Sequence, residues 1–312
     1  MFGRKKSKYD PFFGLAEVKA AHVDLRRGDW TAAQALLATG GDRSLLISML
    51  GEDGVKTAIH EQWAATQQDS MSYTMLARKL TSDAWEVRGS GYAKTVKQDA
   101  WRSFGAILKD AQVAVDQAIR LDASNADAWA ANVQIGIGRS VGIDTVQAHY
   151  ERAHAVQPFH ASATGSLLQA RCDKWFGDHE SMFVFARWIT GHAAADAPVQ
   201  WAIARAHYER WASMQEDGVA PSQYFSQPEV FNEIMGTASR FLAATPAGAL
   251  APLHHLTALN WFVYALGMAN QPSRQIIDEC ATRIARRPTM WPWIARRGEH
   301  GEAYDQFLKM AK

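Results

Sequence analysis

The chain has 312 residues, 47% hydrophobic and 21% charged, with 33 Lys+Arg against 32 Asp+Glu for a formal net charge of +1. That composition predicts an ordinary globular core, and the near-balance of charge gives no global attraction to nucleic acid or to an anionic membrane. Cys172 and Cys280 stand far apart with no CxxC partner, which excludes a disulfide framework and points to a reducing, cytoplasmic setting, and no run approaches the roughly 18 apolar residues that span a bilayer.

Residues 1–10 read as a flexible basic tail. Arg4, Lys5, Lys6 and Lys8 resemble the start of a signal peptide, but Tyr9-Asp10-Pro11 interrupts where the apolar run would follow. From Phe12 to Arg27 apolar residues recur at helical spacing. Short helices are expected after Gly28-Asp29 and after Gly40-Gly41-Asp42, and Val55–Gln67 carries Ile59 and Trp63 on one face. The spacing predicts two helices over Ser70–Leu80 and Ser82–Tyr92. A long helix capped by Asp99 follows, with Trp101, Phe104, Leu108, Ala111 and Val115 in one stripe.

The stretch 111–187 contains a unit repeated once. Ala118-Ile-Arg-Leu121-Asp-Ala123-Ser-Asn-Ala126-Asp-Ala128 is echoed by Ala153-His-Ala-Val156-Gln-Pro158-Phe-His-Ala161-Ser-Ala163, 35 positions later. Helix pairs of tetratricopeptide type repeat at roughly 34 residues. Phe241, Ala244, Pro246 and Ala249 form a looser third pass. Helices are expected at about 125–138, 144–156, 159–173 and 178–190, then from Pro198 to Met214, and at about 229–244, 251–268, 273–286 and 300–311. Strand patterning is thin. The fold class is therefore all-α, an irregular tetratricopeptide-like solenoid of stacked helix pairs. It forms a single domain over 11–312, with the loop 215–227 as the one place for a subdivision.

The segment Lys174-Trp175-Phe-Gly177-Asp-His179-Glu180-Ser-Met182-Phe-Val-Phe185-Ala186-Arg187 resembles a motif of a bacterial family of tetratricopeptide-like proteins of unknown function. So do Ala84-Trp85-Glu86-Val-Arg88-Gly89 and Met290-Trp291-Pro292-Trp293. The resemblance implies an α-helical repeat fold and carries no established activity.

Motifs for known chemistries are missing. His60-Glu61 and His179-Glu180 lack the second His of a zinc helix, and His149 and His154 are five apart, off one helix face. Gly136-Ile-Gly138-Arg-Ser-Val-Gly142 has its third glycine one position late for a dinucleotide loop and follows a helix, so it reads as close helix packing and a helix end. There is no phosphate-cradling GxxxxGK[ST] loop and no GxSxG elbow. No metal or cofactor is expected. The pentapeptide Ala-His-Tyr-Glu-Arg occurs at 148–152 and 206–210. It reads as a core Tyr flanked by a solvated Glu-Arg, against an alternative in which His149, Glu151, His207 and Glu209 form acid/base pairs.

Twelve tryptophans are the most unusual feature of the composition. Trp63, Trp101 and Trp201 are expected in the core, with a minority lining a groove. The leading reading is a non-enzymatic scaffold or adaptor binding a protein or peptide segment through Lys174, Trp175, His179, Glu180 and Arg187, with Trp85 and Arg88 as neighbours. The alternative is an enzyme or small-molecule-binding protein using the same His, Glu and Arg residues in a closed pocket. A weaker third reading gives Arg283, Arg286, Arg287, Arg296 and Arg297 to RNA; a solvated face offset by Glu279, Glu299 and Glu302 competes with it.

Overall fold

The computed structural model describes residues 9–39, 42–51, 54–89, 96–219, 223–247, 250–271, 273–295 and 300–310. They are all-α, with no strand among the described residues. The helices are α1 Ala16–Leu25, α2 Thr31–Ala38, α3 Arg43–Leu50, α4 Thr57–Gln67, α5 Ser70–Arg88, α6 Gln98–Leu121, α7 Ala126–Gly138, α8 Ile143–Val156, α9 Ala161–Ala170, α10 His179–His192, α11 Ala202–Glu216, α12 Pro228–Ala244, α13 Leu256–Gly267, α14 Arg274–Ile284 and α15 His300–Met310. The chain divides into two compact units. The N-terminal unit is Leu15–Gly177; the C-terminal unit runs from Asp178 onward and includes the segment up to Gly14. The loop 215–227 lies inside the C-terminal unit.

In the N-terminal unit α1, α2 and α3 pack on one another, and α4 packs on α5. The α5/α6 pair is the most extensive packing. Phe104, Leu108, Ala111, Val115 and Ala118, spaced three or four apart on α6, are all buried. Trp101, placed in the same stripe by its spacing, is instead 36% exposed: it sits in the first turn of α6, beyond the neighbours that cover the rest of the stripe. Asp99 does not cap this helix. The N-cap is Lys97 and Asp99 lies in the first turn, paired with Arg102. The two helices expected over 70–92 are one. Asp69 accepts from Ser72 N–H at its start, and burial of Leu80, Thr81 and Ala84, with the Thr81 hydroxyl satisfied by the Ala77 carbonyl at 2.7 Å, carries the helix through the point where a break was expected. The helix stops at Gly89, whose φ of +74° suits a residue without Cβ. Tyr92 lies outside the described residues.

Positions 35 apart in the echoed stretch share their cap roles. Asn125 caps α7, accepting from Asp127 and Ala128 N–H, and His160, 35 positions on, caps α9, accepting from Ala163 N–H. Asp122 and Gln157, which end α6 and α8, are both extended, and Ala118, Ala128, Ala153 and Ala163 are fully buried. α7 packs against α5, α6, α8 and α9, and α8 packs against α9. The looser third pass ends α12 at Ala244; its Ala249 lies outside the described residues.

Close helix packing explains Gly136 and Gly138, whereas Gly142 stands in open space at the N-cap of α8 with a φ of +89°. A Cβ on Gly138 would lie 2.7 Å from Leu108 Cδ1 and 3.2 Å from Phe104 Cζ, both buried on α6. Gly138→Val is therefore expected to destabilise the protein by roughly 1–3 kcal/mol through overpacking; an unchanged urea midpoint would refute the close approach.

The C-terminal unit is built around α13, which is apolar on nearly every side and buried from Leu256 to Leu266 except at half-buried Thr257, as a central helix must be. α11, α12, α14 and α15 pack on it. Its one buried amide, Asn260, is satisfied at both ends: it donates to the Leu256 carbonyl at 2.8 Å and accepts from Trp293 Nε1 at 2.6 Å. Pro198 opens a 3-10 turn, Pro198–Trp201, ahead of α11, where an unbroken α-helix was expected.

Candidate functional site

Three of the seven residues singled out from the sequence come together. Trp85 and Arg88 stand one turn apart at the C-terminal end of α5, and Trp175 lies in the turn after α9. Trp85 meets Trp175 edge-on at 5.8 Å and Phe104 at 5.0 Å. The Arg88 guanidinium lies 5.3 Å from the centroid of Trp85 and 5.0 Å from that of Trp101, close enough for a cation–π contact with each ring. Trp101 in turn packs edge-on against Phe104 at 5.6 Å. Trp101 and Val87 carry exposed apolar surface at this end of the α5/α6 pair, 36% and 44% respectively. The Trp85 indole nitrogen is buried with no hydrogen-bond partner among the described residues. Lys174, beside Trp175, is exposed, and its backbone N–H donates to the Asp173 carboxylate at 2.9 Å.

The other three begin the C-terminal unit. The segment 174–187 is thus divided between the two units after Gly177. His179 is half-buried and Glu180 exposed in the first turn of α10, which Asp178 and Ser181 close with a reciprocal capping box. Arg187, one face further along, grips Glu233 of α12 with two nitrogens at 2.7 and 3.1 Å and lies 5.1 Å from the centre of the Phe183 ring.

Glu233 leads to a hydrogen-bonded chain that the sequence did not suggest. His207 Nε2 lies 3.0 Å from Glu233 Oε2, and its Nδ1 lies 2.9 Å from the Tyr224 hydroxyl. A carboxylate only accepts, so Nε2–H donates to it, and in the neutral ring Nδ1 accepts from Tyr224. Burial alone would raise the Glu233 carboxyl; hydrogen bonds from His207 and Arg187, with their charges, outweigh it and hold the group at about 2. Burial pushes the Tyr224 phenol well above its ordinary value, which disfavours a phenolate. Each group of the chain therefore satisfies its neighbour, clamping α10, α11 and α12 together with the 3-10 turn Tyr224–Ser226. The signal that led partway here was the second Ala-His-Tyr-Glu-Arg. Glu233 lies 26 residues further on and had none.

The two pentapeptides do not occupy equivalent positions. In α8, Tyr150 is buried while Glu151 and Arg152 are exposed, as expected. In α11 it is His207 and Glu209 that are buried, with Arg205 3.7 Å from Glu209, so the solvated Glu-Arg reading fails for the second copy.

No family model, curated protein or solved structure matches this chain. Among the described residues no group of three or more His, Cys, Asp or Glu side chains is placed to hold a metal ion, and no helix is long and apolar enough to cross a membrane. The C-terminal arginines do not form the solvated face expected of them. Arg283 is buried and Arg287 half-buried, each donating to backbone carbonyls; Arg286 is exposed and 4.0 Å from Asp305. Arg296, Arg297 and Glu299 lie outside the described residues.

Proposed function

We propose that the chain is a non-enzymatic helical scaffold or adaptor of the bacterial cytoplasm that grips a protein or peptide segment at the aromatic–arginine patch of the N-terminal unit. The observation that carries this reading is Arg88 over both Trp85 and Trp101, with Trp101 and Val87 presenting apolar surface to solvent. Tryptophan and arginine are the residues on which binding energy concentrates at interfaces. A guanidinium already positioned by two rings loses little side-chain freedom when it meets a partner's carboxylate.

A tetratricopeptide-like order of stacked pairs supports the same reading. α5, α7 and α9 follow one another as first helices of successive pairs, α6 and α8 as second helices, and each first helix packs on the next. Two buried free thiols fit a reducing compartment. The rival reading, an enzyme or small-molecule-binding protein with a His/Glu/Arg pocket, has the Arg187–Glu233–His207–Tyr224 chain in its favour. In that chain both His207 nitrogens and the Glu233 carboxylate are engaged by one another's neighbours, which leaves no free base. The scaffold reading needs neither metal nor cofactor.

Affinity capture from the source cell with wild type and with Arg88→Ala/Trp101→Ala tests it. One protein is expected to be enriched by wild type and depleted roughly tenfold or more by the double variant, with helical circular dichroism unchanged. Equal recovery by a folded variant removes the patch from the function, and a co-purifying small molecule in place of a protein favours the rival.

A further inference from the structure

The N-terminal unit holds a second polar site away from the aromatic patch. A small cavity is lined by Ser44 of α3, Arg78 of α5, Asp127 of α7 and His160 and Ser162 at the start of α9, against an apolar wall that includes Ile47. Its interior has room for about one water molecule.

The charges around it do not balance. Asp127, 5% exposed, already has two partners: Arg43 Nε at 2.7 Å and His160 Nε2 at 3.0 Å. His160 Nδ1 accepts the Ala163 backbone N–H at 3.3 Å, so in the neutral ring Nε2 carries the proton and donates to Asp127. The imidazole is thus committed as cap and donor and is not a free base. Arg78 is left over. Among the described residues its guanidinium has one hydrogen bond, to the neutral Gln134 amide oxygen, and no carboxylate within ion-pair distance. Burial pulls its pKa down, with the charge of Asp127 opposing from a distance. A half-buried guanidinium whose described hydrogen bond is to a neutral amide keeps donors that an anion at the cavity would meet.

Two further observations point to an anion. Ser44 and Ser162, both half-buried, line the cavity, and neither side chain has a hydrogen bond among the described residues. Ser44, Asp127 and Ser162 each occupy the second position of their helix, so three helix N-termini, each carrying about half a positive charge, converge there. Two arginines and these dipoles face a single aspartate.

We infer that this cavity is an anion site that receives one oxygen of a phosphate group against Arg78, with the hydroxyls of Ser44 and Ser162 as further donors and the remaining phosphate oxygens at its mouth. A phosphate, carrying about −1.5 to −2 charge near neutral pH, matches the surplus better than a singly charged carboxylate. The site does not depend on the aromatic patch.

The test is a titration of the full chain with inorganic phosphate and, separately, O-phosphoserine, at constant ionic strength made up with chloride. Melting temperature and 31P line width are the readouts. Saturable stabilisation by either phosphate is expected in wild type and weakened roughly tenfold or more in Arg78→Gln. Asp127→Asn, which removes the competing carboxylate, is expected to tighten phosphate binding. Should Arg78→Gln fail to fold, Arg78→Lys and Ser44→Ala/Ser162→Ala carry the test, each expected to bind more weakly than wild type. A response that chloride reproduces, that does not saturate, or that survives Arg78 substitution unchanged overturns the assignment.

Discussion

Arg283→Ala is expected to destabilise the protein by roughly 2–3 kcal/mol, the size of the charged hydrogen bonds it removes from a helix end, since its carboxylate partner Glu279 is 35% exposed. Arg283, 3% exposed on α14, reaches across to the end of α12. There Nη2 donates to the Leu242 carbonyl at 3.3 Å and Nη1 to Thr245, through both its hydroxyl and its carbonyl, while Nε meets Glu279 at 2.7 Å. The last carbonyls of a helix have no intrahelical donor, and a cation there also opposes the dipole's negative end. Truncation removes these donors, leaving the Leu242 carbonyl, among the described residues, only the long bonds from Thr245 at 3.3 and 3.4 Å, and leaves Glu279 without this partner. Arg283→Lys keeps the charge but not the fork and is expected to lose less. Urea denaturation followed by circular dichroism gives the numbers; a loss below about 1 kcal/mol for the alanine variant, the size of one ordinary hydrogen bond, would mean that solvent replaces the cap.

Stability is also expected to fall by roughly 3 kcal/mol between pH 6.5 and 4 on account of His60 alone. This histidine on α4 is fully buried, and neither ring nitrogen has a hydrogen-bond partner among the described residues. Burial lowers its pKa from 6.5 to about 4; Lys79 and His22 add to the shift, while the Lys56 backbone and Asp83 oppose it. The unfolded chain therefore takes up a proton near pH 6.5 that the folded chain refuses until about pH 4. The full contribution is present above 6.5 and is lost as pH falls through that window. His149 and His255, also lowered chiefly by burial, act in the same direction. The carboxyls Asp127 and Glu233, whose folded values are depressed, hold their contribution above the ordinary carboxylate range and lose it as pH falls from there through their lowered folded values. His60→Leu removes both the proton site and the buried polar atoms, so its stability should vary less with pH between 6.5 and 4. Parallel pH profiles for the variant and wild type would exclude His60 as the source.

Much of the helical framework was legible because its determinants are local. Caps and small buried residues are written within a few positions of one another, so the 35-residue echo placed Asn125 and His160 at two helix starts. The stripe on α6 was correct for Phe104 through Val115, yet periodicity says nothing about where the neighbouring helix stops, and Trp101 fell outside its cover. Thr81-Ser82 looked like a break because propensity cannot see that Thr81 bonds back to Ala77 while Leu80 and Ala84 are being buried. In the candidate sites, Trp85, Arg88 and Trp175 were singled out through the resemblance of their segments, and Trp85 does touch both of the others. Glu233, Tyr224, Arg78 and Arg43 were invisible. Their roles come from pairings 26, 17, 56 and 84 residues away in sequence, which a single chain read in order does not encode.

The two copies of Ala-His-Tyr-Glu-Arg bear on how the chain's history can be reconstructed. Five identical letters lie on two helices with different faces turned inward, so superimposing the words would set the buried Tyr150 on a half-buried Tyr208 and the solvated Glu151 on the enclosed Glu209. A shared word here is not descent from a shared module. Structural equivalence follows the caps that end and restart the helices, where Asp122 matches Gln157 and Asn125 matches His160, and not the one string that repeats letter for letter.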